Sequence, residues 1–75
     1  MPYIAIKCYP KEETAKKAAV DRLMELLPEL LDCPPQALTI SIEEYSPEEF
    51  REKVRPEMEA KEDRLWVSGG EKKYE

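Results

Sequence analysis

The sequence predicts an α+β fold: a single β-α-β unit with parallel strands, an extra C-terminal helical segment and a short terminal strand and turn. Two stretches, 2–9 and 37–45, alternate apolar and polar residues. Between them, residues 12–32 change to the spacing of an amphipathic helix. A chain of 75 residues makes one thin domain, 1–75. A core of that size seldom supplies more than about 3–5 kcal/mol, so completion by oligomerisation is expected.

The first strand, PYIAIKCY, puts Ile4, Ile6 and Cys8 on one face and Ala5 and Lys7 on the other. Pro2 fits only at its beginning, where a missing N–H costs nothing, and Pro10 ends it. In the helix, Ala15, Ala19, Leu23, Leu27 and Leu30–Leu31 form one stripe, widened by Val20 and Met24. Glu12 and Glu13 favour the positive end of its dipole. Pro28 lacks an N–H and crowds the carbonyl four residues earlier, so a kink or a new start is expected there. Cys33-Pro34-Pro35 stops the helix.

The second strand, 37–45, carries Leu38, Ile40 and Ile42 on one face. The intervening helix is long enough for a right-handed parallel crossover. Two strands and one helix leave the far sheet face open, a second reason to expect subunit association. Ser46-Pro47-Glu48-Glu49 has the form of a capped helix start, and Phe50, Val54 and Met58 follow at four-residue spacing. Pro56 interrupts 47–64, which predicts two short helices. In the remaining segment, 65–75, Leu65-Trp66-Val67 predicts a short edge strand and Ser68-Gly69-Gly70 a turn. The tail EKKYE is expected to fray.

Charge and composition exclude several classes of function. Twelve basic residues against 17 acidic ones give a net charge of −5, the wrong sign for a phosphate backbone, so no nucleic-acid partner is expected. No apolar run approaches a membrane span and no leader pattern is evident, which predicts a cytoplasmic protein with no membrane partner. Cys8 and Cys33 are then reduced, small packing residues, and without histidine they make no zinc set, so no metal is called for. The same lack of histidine removes the common nucleophile–histidine pairs, and the two glycines make no phosphate loop. The many carboxylates fall on helix faces that suit solvent.

One residue stands out. Removal of Met1 would convert the inert imide nitrogen of Pro2 into a secondary amine. An ordinary α-amino group titrates near 7.7–8.0 and a prolyl amine somewhat higher. Apolar neighbours and a nearby cation, Lys7 or Lys11, would disfavour its protonated form and make it a base near neutrality.

MPYIAIKCYP, then a helix of this length, then PPQALTISIEEYSPEEF, resemble the 4-oxalocrotonate tautomerase family over residues 2–50. The IKCYP stretch and the added helical segment look most like its small dimeric, phenylpyruvate-type branch. The resemblance implies a mature chain beginning with a catalytic proline, here Pro2, and a cofactor-free keto-enol tautomerase. It implies that Lys11 replaces an arginine that binds the substrate carboxylate, with loss of the bidentate fork. A second arginine of the family falls at Thr39, which argues against a dicarboxylate substrate and leaves Arg51 or Arg55 as other donors. Phe50 and Trp66, the latter followed by a double glycine, are the candidates for an aromatic wall. The expected partners are a small anionic or aromatic 2-oxo acid and a second copy of the chain, as a homodimer or, alternatively, a hexamer. Loss of both arginines also suits a non-catalytic ligand-binding or assembly protein of the same fold. A helical interaction module resting on 47–64 is a third reading.

Overall fold

A computed structural model describes residues 1–74. Strand β1 (Tyr3–Cys8), helix α1 (Glu13–Leu30) and strand β2 (Thr39–Glu44) form an α+β unit. The two strands pair in parallel, in register from Tyr3–Thr39 to Cys8–Glu44. Both strands lie inside the predicted stretches. The second starts later because Pro35–Ala37 closes into a single 3₁₀ turn before the chain extends. Among the described residues, no helix is long and apolar enough to cross a membrane.

Helix α1 continues through Pro28 to Leu30 as one element, so the expected new start there does not occur. Pro28 lies in the last turn, so its missing N–H leaves the Met24 carbonyl without its intrahelical partner while few residues follow to be displaced. The helix ends two residues short of the predicted position in a Schellman motif. Cys33 N–H donates to the Pro28 carbonyl (2.9 Å) and Asp32 N–H to that of Glu29 (3.3 Å). Asp32 occupies the left-handed position at φ 52°, where a side chain with a Cβ is strained. Asp32→Gly is therefore expected to stabilise the fold by about 0.5–1 kcal/mol, seen as a higher urea midpoint. A lower midpoint would show that Asp32 contributes more than its backbone angle.

The largest correction concerns the open sheet face. It is crossed by a second helical segment running from Pro47–Glu49 through a π-turn, Phe50–Val54, into Arg55–Ala60. Ser46 caps its start reciprocally with Glu49: each side chain holds the other residue's backbone N–H, at 3.1 and 3.0 Å. Pro56 does not split it. Just before the proline the turn widens, and Arg55 N–H reaches five residues back to the Phe50 carbonyl. This relieves the Glu52 carbonyl of the pyrrolidine ring. A single 3₁₀ turn, Glu62–Arg64, completes the predicted segment.

The tail does not fray as expected. Val67–Ser68 (β3) and Glu71–Lys72 (β4) form an antiparallel hairpin around Gly69-Gly70. Both glycines have positive φ, 56° and 81°, as a two-residue hairpin turn of the I′ kind requires. Lys73 N–H extends the ladder to the Trp66 carbonyl at 2.8 Å. The expectation for Glu75 lies outside the described residues.

Ile6 and Ile42 border the crevice beneath α1, with Cys8 beside them. Val20, Leu23 and Leu27 of α1 are only half-buried, and Leu30 and Leu31 are exposed. Val54, at 3% exposure, is the one buried apolar side chain among the described residues.

Candidate functional site

Pro2 sits immediately before β1, at the end of the sheet where both strands begin. Its carbonyl accepts from Thr39 N–H at 3.1 Å, which fixes it beside the start of β2. Met1 ahead of it is wholly exposed. While Met1 is attached, the Pro2 nitrogen is an amide without basicity; a free amine there would sit half-buried at the sheet end.

On the face opposite α1, the second helical segment and β1 enclose a groove of about 550 Å³, within the usual range for small ligands. Its lining runs from Tyr3 and Ala5 to Lys7 on β1 and from Phe50 to Lys61 and Leu65 beyond it. Lys7 Nζ donates to both carboxylate oxygens of Glu57, at 2.9 and 2.8 Å. This hydrogen-bonded pair pushes the Lys7 ammonium above its ordinary pKa and holds Glu57 below the usual carboxylate value. Lys61 Nζ forms a longer ion pair with Oε1 of the same carboxylate, at 3.7 Å. Tyr45 OH donates to Glu43 at 3.1 Å. Its phenol is pushed up first by desolvation and then by that bond.

The Lys7–Glu57 pair anchors the second helical segment to the sheet, and its linkage has a definite sign. Because the folded pKa of Glu57 is depressed, its contribution is present above the ordinary carboxylate value of 4.5 and fades as pH falls through the folded value. The gap in Tm between wild type and Glu57→Gln should therefore be open at pH 7 and close as pH falls below 4.5. A gap independent of pH would mean that the glutamate contributes through packing alone.

The predicted site residues do not all come together within one chain. Lys11 follows the far end of β1 from Pro2, and a six-residue strand spans about 20 Å. Its backbone N–H donates to Glu44 Oε2 at 2.7 Å, and its side chain borders a crevice on the α1 side with Cys8. Glu44 also accepts from Lys16 Nζ at 3.2 Å. The Lys11 N–H first, then Lys16, hold its carboxyl below the ordinary range. Phe50 lines the groove, with its ring edge against Tyr9 at a centroid distance of 5.2 Å. Trp66 is 70% exposed and stands outside the groove, tilted against Tyr74 at 5.4 Å. Its neighbour Leu65 lines the groove instead. Arg51 and Arg55 are exposed and outside that lining.

Glu57, Met58 and Lys61 are groove residues that the sequence reading did not assign to a site, and Lys7, expected as a cation near the Pro2 amine, is paired with Glu57. Their signal was present: positions 50, 54, 57, 58 and 61 share one helical face. Cys8 and Cys33 are free and half-buried. No family model, no curated protein and no solved structure matches the chain.

Proposed function

We propose that this chain is a subunit of a cofactor-independent keto-enol tautomerase, related to the 4-oxalocrotonate tautomerases, acting on a small 2-oxo or enol acid of the phenylenolpyruvate kind. The observation that carries the reading is the position of Pro2: it opens the first strand of a parallel β-α-β unit, behind a wholly exposed Met1. With Met1 removed, the neutral amine takes the enol hydroxyl proton while the oxygen's electrons form the carbonyl. In the same electron shift the alkene π bond breaks and its electrons take a proton at carbon from the prolinium, which restores the base. The net change is an isomerisation, so no redox partner or co-substrate enters. Acid–base help of this kind is typically worth 10²–10⁴-fold.

Assembly belongs to the same reading. A lone chain with a single buried apolar side chain among the described residues, an exposed Leu30 and a two-stranded parallel sheet has little core of its own. We infer a homodimer, with a hexamer as the alternative. Lys11 of the same chain lies a strand-length from Pro2, so it would take part only if a second copy brought it there.

The test is ketonisation of phenylenolpyruvate, followed by ultraviolet absorbance, with protein whose intact mass shows Met1 removed. Acceleration well above buffer supports the tautomerase. No acceleration by folded, processed protein favours a non-catalytic ligand-binding or assembly role. The uncharged Thr39 beside Pro2 is the observation that favours that second reading.

A further inference from the structure

Two contacts set the direction in which the second helical segment crosses the sheet. Phe50 meets Tyr9, beyond the C-terminal end of β1, and Glu57 meets Lys7, further back along the strand. The segment therefore runs antiparallel to β1. Continued past Glu57, it carries Lys61 and Leu65 toward the half of the groove that holds Ala5 and Tyr3, the half nearer Pro2. We propose that Lys61 is the cation that holds the carboxylate of an apolar or aryl monocarboxylic acid bound in this groove. The assignment deepens the tautomerase reading, on which its catalytic relevance rests, by giving the substrate anion a partner within the same chain as Pro2.

The chemistry of the lining selects Lys61 over its neighbours. Lys7 is already committed, with short hydrogen bonds to both Glu57 oxygens. Lys61 Nζ also pairs with Glu57, but at 3.7 Å and from a more exposed side chain, so it is the more loosely held of the two cations and the one a ligand carboxylate can draw away. The Lys7–Glu57–Lys61 series carries one net positive charge. Glu43, the other acidic group in the groove, lies across the sheet from Lys7 and repels a carboxylate from the strand side. That leaves the helix side, where Lys61 stands. Phe50, Val54, Met58 and Leu65 supply apolar surface for an aryl or alkyl tail. One carboxylate and one apolar tail match this lining; a second carboxylate would meet Glu43.

The experiment uses 3-phenylpropanoate, which cannot enolise to product, and its uncharged amide, with binding measured by calorimetry. Wild type should bind the acid more tightly than the amide. Lys61→Met should weaken the acid about tenfold and leave the amide unchanged, as expected for loss of one solvated charge-assisted contact. Lys53→Met, which removes the same charge from an exposed position of the same segment, should change neither. No binding of either compound by wild type, equal loss in Lys61→Met and Lys53→Met, or a loss confined to Lys11→Met would each overturn the assignment. Because no turnover is read, the result is independent of whether Pro2 is a base. Binding that depends on Lys61 in a protein without tautomerase activity would sink the proline mechanism and keep the site.

Discussion

Pro2→Ala is expected to lower kcat/KM for ketonisation of phenylenolpyruvate by about a hundredfold or more, with fold and assembly unchanged. Structure explains why the fold should survive. Pro2 contributes only its carbonyl to the sheet, as acceptor for Thr39 N–H, and alanine keeps that carbonyl. No N–H of residue 2 is used, and the position precedes the strand. Stability should therefore stay within about 0.5 kcal/mol of wild type. Alanine at this position still allows Met1 to be removed, so both proteins start with a free amine. What differs is the amine itself: the ring makes it secondary, more basic and fixed in orientation, whereas alanine offers a freely rotating primary amine. Proton transfer depends on both alignment and basicity. An equally active Pro2→Ala protein would remove Pro2 from the reaction. A protein active only after Met1 removal, and inactive with Met1 retained, would tie the activity to the amine independently of the substitution.

The β-α-β unit was legible because its signals are local. Ile4, Ile6 and Cys8 alternate, and so do Leu38, Ile40 and Ile42, while the apolar residues between them keep helical spacing. The failures came where a local rule met a tertiary remedy. Pro56 predicts a break, but the turn widens ahead of it, because Phe50 and Val54 already hold the segment on the sheet and continuity preserves that packing. Pro28 costs the helix one bond, to the Met24 carbonyl, yet the helix runs through it to Leu30. The tail reads as polar and frayed, yet two glycines able to take positive φ turn it back on Trp66. Among the candidate site residues, the position of Pro2 at the sheet end followed from strand logic alone. Where the candidate cations fall did not: Lys11 borders the crevice on the α1 side and Lys61 the groove on the opposite face, and no spacing within a linear sequence records that.

Val54→Ala is expected to remove about 2 kcal/mol of stability, from the apolar carbon lost and the space left behind. For most proteins that is a moderate loss. Here Val54 is the only buried apolar side chain among the described residues, in a chain whose single core supplies roughly 3–5 kcal/mol. The substitution should therefore bring the protein close to unfolding at 37 °C, with a large fall in urea midpoint. An unchanged midpoint would mean that the second helical segment is not seated on the sheet, and the groove would lose its roof. The comparison that gives this result its meaning is Leu30→Ser, at a position 73% exposed in the single chain. A solvent-facing site should change stability by less than about 0.5 kcal/mol. If Leu30 lies between copies instead, Leu30→Ser should also lower the midpoint, and wild type should show a midpoint that rises with protein concentration, since association stabilises only the folded chain. Val54 would then be the core of the subunit and Leu30 part of the core of the assembly, which is where a chain this short must find the rest of its stability.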